Sequence, residues 1–245
     1  MKRVRLDTLV VERGLAPSRE RARAIILAGQ VRVNGAPATK AGTFVPPDAE
    51  IALVQPDHPY VGRGGVKLAH ALDIFAVPVD GRDALDIGAS TGGFTDVLLR
   101  RGARTVVALD VGHGQLDYRL RTDARVTVRE GVNARSLSPA VLPGPVDLVT
   151  IDVSFISLRQ ILPAVPPLLR PGANVIVLVK PQFEAGREEV GKIGLVRDRA
   201  VHERVIEEVT TAAGAAGLVR VAMTPSPITG TTGNQEYFLH LKSTV

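Results

Sequence analysis

Residues 84–95 read Ala-Leu-Asp-Ile-Gly-Ala-Ser-Thr-Gly-Gly-Phe-Thr. The apolar run Ala84-Leu85-Asp86-Ile87 gives way to small residues and then to a helix-like segment at 94–100. That pattern predicts a strand, a tight turn and a helix start. Gly88, Gly92 and Gly93 allow close approach of a ligand and positive φ, and Ser90 or Thr91 stands where a helix cap is needed. The next apolar run, Thr105-Val106-Val107-Ala108-Leu109, ends in Asp110, about 20 residues beyond the glycines, where a carboxylate can accept hydrogen bonds from ribose hydroxyls. A nucleoside cofactor is the expectation. Asp86, Gly88, Ala89, Ser90, Thr91, Gly92 and Phe94 form its turn region, and Asp110 and Val111 meet its ribose side.

The spacing Asp86-x-Gly88-x-x-x-Gly92, with an acid before the first glycine, resembles the S-adenosylmethionine loop of Rossmann-like methyltransferases more than the NAD fingerprint. Downstream, strand-like and helix-like segments alternate: 105–110, 115–121, 126–129, 146–151, 155–169, 174–179, 196–216, 218–223 and 236–241. Repeated βα units predict an α/β fold with a mostly parallel, doubly wound sheet. The last two strands are joined by residues 224–235, which carry no helix pattern, so the final strand is expected to run antiparallel. Glu130, Val132 and Asn133 follow the third strand, and any of them can approach an adenine. In open sheets the chemistry lies at the carboxyl ends of the strands. Asp152 and Lys180 end two buried-type strands, and an antiparallel last strand brings Glu236 to the same edge. Lys67 lies in the first turn of a helix expected at 66–75, where the dipole disfavours a cation, so helix stability does not account for it.

With 245 residues, 45% of them apolar, the chain can hold one large α/β domain and a small one. No stretch approaches the roughly 18 uninterrupted apolar residues of a membrane helix. The first residues are charged with no apolar segment after them, so no signal peptide is read and a cytoplasmic location is expected. The absence of cysteine excludes disulfides, thiolate zinc sites and cysteine nucleophiles, and five scattered histidines give no metal-ligand spacing. The net charge is +5. It concentrates at the N-terminal end, where Lys2, Arg3, Arg5, Arg13, Arg19, Arg21, Arg23, Arg32, Lys40, Arg63 and Lys67 outweigh Asp7, Glu12, Glu20, Asp48, Glu50 and Asp57. A basic end points to a polyanion, and nucleic acid is the expectation.

That end has its own pattern. Leu6, Leu9 and Val10 mark a helix face that stops at Gly14, and Ser18 caps a second helix at 19–28. Val31-Arg32-Val33-Asn34-Gly35 reads as a strand entering a hairpin, and 51–54 as a further strand. The string Ser18-Arg19-Glu20-Arg21-Ala22, followed by Ile25-Ile26-Leu27-Ala28-Gly29-Gln30-Val31-Arg32-Val33-Asn34-Gly35, resembles the RNA-binding module named for the fourth protein of the small ribosomal subunit. The resemblance implies contact with phosphates and RNA shape, with Arg3, Arg5, Arg19, Arg23 and Arg63 as RNA-binding residues. Gln55-Pro56-Asp57-His58-Pro59-Tyr60 reads as a linker. The domains are therefore placed at 1–58, with the linker from about 55, and 59–245.

Lys67, Asp152, Lys180 and Glu236 on such a fold match the Lys-Asp-Lys-Glu tetrad of the FtsJ/RrmJ-type ribose 2′-O-methyltransferases. The strings Gly62-Arg63-Gly64-Gly65-Val66-Lys67-Leu68, Asp152-Val153-Ser154-Phe155-Ile156-Ser157 and Val179-Lys180-Pro181-Gln182-Phe183-Glu184 look like the TlyA family, also labelled hemolysin A. Gly62 departs from the serine of many members. The resemblance implies S-adenosylmethionine as cofactor and no metal, with Asp152 touching both cofactor and substrate and Asn133 near the adenine. The implied substrate is a cytidine 2′-hydroxyl of large-subunit rRNA, a small-subunit cytidine being a second target in longer members. The end at Val245, just after the last strand, leans toward the single-target form. Lys180 beside Lys67 is the implied base, oriented by Asp152 and Glu236, with Lys67 stabilising the alkoxide. Partners are ribosomal RNA or ribosomal subunits and no membrane, and the sequence leaves the oligomeric state open. A membrane-active hemolysin and a non-catalytic RNA-binding protein are the other readings, and the former needs an apolar or amphipathic segment that is not found.

Overall fold

The computed structural model describes residues 3–54 and 58–244. The linker residues Gln55, Pro56 and Asp57, like Lys2 of the basic set, lie outside the described residues. In the N-terminal unit, strand β1 (Val4–Arg5) leads into helices α1 (Leu6–Glu12) and α2 (Arg19–Leu27). Ser18 Oγ accepts the Arg21 backbone N–H at 3.2 Å as the α2 cap. β2 (Val31–Val33) and β3 (Ala36–Ala38) form the expected hairpin, with Asn34 and Gly35 both at positive φ, 48° and 77°. β4 (Phe44–Val45) pairs with β1, and β5 (Ile51–Leu53) with β2. Leu6, Leu9, Val10, Ile26 and Val31 are buried at the centre of this unit.

α3 (Gly64–Phe75) begins two residues before the expected start at Val66. Packing overrides propensity there: a Cβ on Gly65 would lie 2.4 Å from the Tyr60 ring, so only glycine lets the chain cross at that point. The rest of the chain alternates β6 (Asp83–Ile87), α4 (Gly93–Arg100), β7 (Thr105–Asp110), α5 (Tyr118–Arg121), β8 (Val126–Glu130), β9 (Val146–Ile151), β10 (Leu169–Val179), α6 (Pro181–Glu184), α7 (Arg199–Ala215), β11 (Leu218–Pro225) and β12 (Tyr237–Ser243). The seven strands lie in the order β11-β12-β10-β9-β6-β7-β8. β12 is antiparallel to both of its neighbours, whereas β6 to β10 are mutually parallel where they pair, so the antiparallel last strand is found. Alternation sends Leu85, Ile87, Val149, Ile151 and Val177 to one buried layer and Ala84, Val106, Leu148 and Ile176 to the other.

The helix expected at 155–169 is absent. Three 3-10 turns replace it (Leu158–Gln160, Leu162–Ala164, Pro166–Leu168), because Pro163, Pro166 and Pro167 remove the amide donors a continuous helix needs. The two units meet through an ion pair from α2, in which Arg21 Nη1 lies 2.8 Å from Asp117 Oδ2, beside an open cleft of about 700 Å³ bordered by Arg21, Leu116, Tyr118 and Arg121. Past the linker the chain is clamped onto α4. The Val61 amide donates to Asp96 Oδ2 at 3.0 Å, and Arg100 donates to both Asp96 Oδ1 and the Pro59 carbonyl.

Candidate active site

Strand register gathers the charged residues. Val179 pairs with Tyr237 across β10 and β12, which places Lys180 and Glu236 side by side at the end of the sheet. Ile151 pairs with Val177 and with Ile87, so Asp152 and Gly88 leave the two following strands at the same edge. α3 packs against α4 and delivers Lys67 there, where it is 9% exposed although charged. Lys67 Nζ lies 2.5 Å from Glu236 Oε2, and Lys180 Nζ lies 2.5 Å from Asp152 Oδ1 and donates to Ser154 Oγ at 3.1 Å. Glu236, expected to orient Lys180, has Lys67 as its ion-pair partner, and Asp152 has Lys180. Each charge is matched by an opposite one, Lys67 and Glu236 being buried and Lys180 and Asp152 half-buried. The pairs are packed closely: a Cβ on Gly230 would lie 2.4 Å from Glu236 Oε1, and one on Gly64 would lie 3.9 Å from Asp152 Oδ2.

Beside them the turn after β6 adopts left-handed conformations at Gly88 (φ 86°), Ser90 (φ 48°) and Gly92 (φ 96°). A Cβ on Gly88 would come within 2.2 Å of the Asp152 carbonyl oxygen, so this glycine fixes the approach of two strand ends. The cap position of α4 is Gly92, and neither Ser90 nor Thr91 caps it. Instead the Ser90 backbone N–H donates to Asp110 Oδ2 at 2.8 Å, and Ser90 Oγ donates to Gln115 at 3.2 Å. Gly112 N–H donates to Asp110 Oδ1 at 2.7 Å. Thr91 Oγ1 would meet a Cβ on Gly62 at 2.8 Å, so a serine at 62 requires Thr91 to turn away.

The proposed cofactor residues divide into two kinds. Asp86, Ala89, Gly92 and Phe94 are buried in the protein itself. Asp86 is fully enclosed, accepting from Thr95 Oγ1 at 2.7 Å and Thr150 Oγ1 at 2.9 Å, and its pKa is pushed up to about 7, chiefly by burial, with the nearby Asp152 charge acting in the same direction. Phe94 packs on Phe238, with ring centroids 6.2 Å apart. Val111, next to Asp110, is 68% exposed, and Asn133 is exposed with its Oδ1 accepting the Arg135 amide. A carboxylate flanked by an uncovered aliphatic side chain, opposite a turn of left-handed residues, is a donor and acceptor set that fits a nucleoside with an amino-acid tail.

Sequence reasoning passed over several residues. Phe155 is 89% exposed in a left-handed conformation (φ 65°), 5.0 Å from the Phe183 ring. Glu184, buried on α6, accepts from Ser157 Oγ at 2.6 Å and the Leu158 amide at 2.7 Å, and burial raises its pKa. The string Asp152-Val153-Ser154-Phe155 and the acid three residues after Pro181 held both signals. Of the expected RNA contacts, Arg5 and Arg19 both meet buried Asp7, at 2.7 and 3.3 Å, and the Arg5 hydrogen bond in particular holds Asp7 at about 2. Arg3, Arg23 and Arg63 are exposed, and Arg63 also donates to the Thr229 carbonyl at 3.2 Å.

Residues 60–243 match the FtsJ-like methyltransferase family, and residues 4–51 the S4 domain. The chain is 47% identical to the 16S/23S rRNA (cytidine-2′-O)-methyltransferase TlyA of Mycobacterium tuberculosis, over 99% of this chain and 91% of that protein. It is 42% identical to a Brachyspira hyodysenteriae protein named hemolysin A, over 97% of this chain and 99% of that one. A solved structure from Streptococcus thermophilus, provisionally assigned as a hemolysin, superposes with a TM-score of 0.77 at 44% identity, covering 100% of this chain and 90% of that one. Among the described residues no helix is long and apolar enough to cross a membrane.

Proposed function

Because the chain belongs to the TlyA family of FtsJ-like methyltransferases, with an S4 domain at its N-terminus, we propose that it transfers a methyl group from S-adenosylmethionine to a cytidine ribose 2′-hydroxyl of ribosomal RNA in the cytoplasm. The observation that carries this is the pairing of Lys67 with Glu236 and of Lys180 with Asp152 at one sheet edge, beside the turn at Gly88 and Ser90. S-adenosylmethionine supplies, when bound, a methyl group already activated on a positively charged sulfur. The protein's share is then to place the hydroxyl in line and take its proton.

Lys180 is the group we assign to that proton. Asp152 Oδ1, 2.5 Å from its Nζ, and Ser154 Oγ, which accepts from it at 3.1 Å, fix the position of the amine at the sheet edge. Lys67, held by Glu236, offers its positive charge to the oxygen that develops as the proton leaves. Asp110 and Val111 would hold the nucleoside and the turn from Gly88 to Gly92 its tail, with Asn133 at the adenine. The side chains of Asp86 and Phe94 would support the turn from behind. Phe155 gives the target base an aromatic face. Arg5, Arg19 and Arg23 on the S4 unit, with Arg3 and Arg63, would hold the RNA phosphates.

The test is to map ribose methylation across both rRNAs from cells with and without the protein. The expected outcome is that the 2′-O-methyl group of at least one cytidine disappears with the protein and returns with it. Unchanged maps would refute the reading.

A further inference from the structure

The segment between α6 and α7 rises to a glycine-flanked tip, Gly191-Lys192-Ile193-Gly194. The tip closes as a tight turn, the Gly194 amide donating to the Gly191 carbonyl at 2.7 Å and the Gly191 amide to the Leu195 carbonyl at 3.1 Å. Its base is built like protein interior. Asn234, fully buried, donates to the Gly194 carbonyl at 2.7 Å and accepts the Val196 amide at 2.9 Å. Val196 packs with Val201 and Val205. His202 bridges the Val196 carbonyl and the Tyr237 hydroxyl, both at 3.0 Å.

Asn234 stands two residues before Glu236, and its own carbonyl accepts the amide of Gly230, the glycine packed on the Glu236 carboxylate. The framework that holds the tip is therefore the framework that holds the catalytic pair. Yet the tip itself presents Ile193, 71% exposed, and Lys192, also exposed. A lone exposed isoleucine is ordinary on a protein surface. One braced by a buried asparagine from the active-site loop, with a lysine beside it, has the make-up of the apolar wedges that enter a base stack.

We propose that Ile193 is such a wedge. It enters the RNA helix next to the target cytidine and occupies the stacking place vacated as that nucleotide turns toward Lys180, while Lys192 contacts the adjoining phosphate. The proposal rests on the ribose methyltransferase reading above. Its physical reason is that extruding a paired nucleotide costs a few kcal/mol, which an inserted side chain offsets in part and which a nucleotide already unpaired does not incur.

The test uses the rRNA hairpin identified by methylation mapping, in two forms: one with the target cytidine paired, and one with it opposite an abasic site. Methyl transfer is measured for the full-length protein and for Ile193→Ala, with 2-aminopurine next to the target reporting unstacking. The expected result is a fall of about tenfold in kcat/KM on the paired hairpin, with the 2-aminopurine signal reduced and with less than about a twofold change on the abasic form. Ile193→Leu should restore transfer. Equal losses on both RNAs, or no loss on the paired one, would overturn the wedge. Absence of transfer by the unaltered protein on either RNA would instead strike the reading beneath it.

Discussion

Asp86 shows how a residue named for one job does another. Its place before the first glycine suggested ligand contact, but the carboxyl is sealed behind the turn between Thr95 and Thr150. No local pattern could have shown this, because Thr150 comes from a strand 64 residues away. Burial raises its pKa from 3.8 to about 7, so the folded state keeps a proton that the unfolded chain has already released. Stability from this group is therefore greatest below pH 4 and declines as pH rises toward 7, on the order of a few kcal/mol in all. Asp86→Asn removes the titration while keeping the shape. Its urea midpoint should change less than that of the unaltered protein between pH 4 and 7, and parallel profiles would refute this account. At the tetrad, residue types and strand ends were legible in advance. Their partners were not, because which lysine meets which carboxylate depends on the α3 packing that delivers Lys67.

Among the elements, β6 with its turn, the Asn34-Gly35 hairpin and the antiparallel β12 follow directly from local pattern. Register then does the rest, since Val179 opposite Tyr237 and Ile151 beside Val177 leave their successors little freedom. The helix expected at 155–169 is the misread element, because a proline run interrupts its apolar stretch, while α3 is found with its start two residues early, where Gly65 packs on Tyr60. The segment after β9 is pinned by Glu184, which takes the Ser157 hydroxyl and the Leu158 amide and so steadies the turn bearing Ser154 and Phe155. Glu184→Ala should lower stability by about 1–3 kcal/mol through the unsatisfied Leu158 amide, and raise the apparent KM for RNA more than it lowers kcat. Glu184→Gln, which can still accept from that amide, should recover most of both. Equal behaviour of the two variants in urea unfolding and steady-state kinetics would argue against this positioning role.

For the molecule as a whole, the two units divide the work. The S4 unit carries exposed Arg23, the larger domain carries the lysine–carboxylate pairs and the glycine turn, and the Arg21–Asp117 contact ties one unit to the other. The sequence showed both units and their order, but not this contact, since Asp117 lies 96 residues from Arg21 and belongs to no motif. If Arg23 binds phosphate, Arg23→Ala should weaken RNA binding evenly across sequences and reduce the slope of log affinity against log salt by about 1. Its S-adenosylmethionine affinity, read by calorimetry, should stay within about twofold. A fall in cofactor affinity would instead place Arg23 in the cofactor site's support. Methyl transfer by this molecule depends on the lysine–carboxylate pairs acting on a ribose hydroxyl. Its most direct test is the yield of 2′-O-methylcytidine, measured by mass spectrometry after nuclease digestion of ribosomal subunits treated with the protein or with Lys180→Ala. Lys180→Ala should bind S-adenosylmethionine normally and make at least about 100-fold less product. Product formed at the unaltered rate would contradict the assignment.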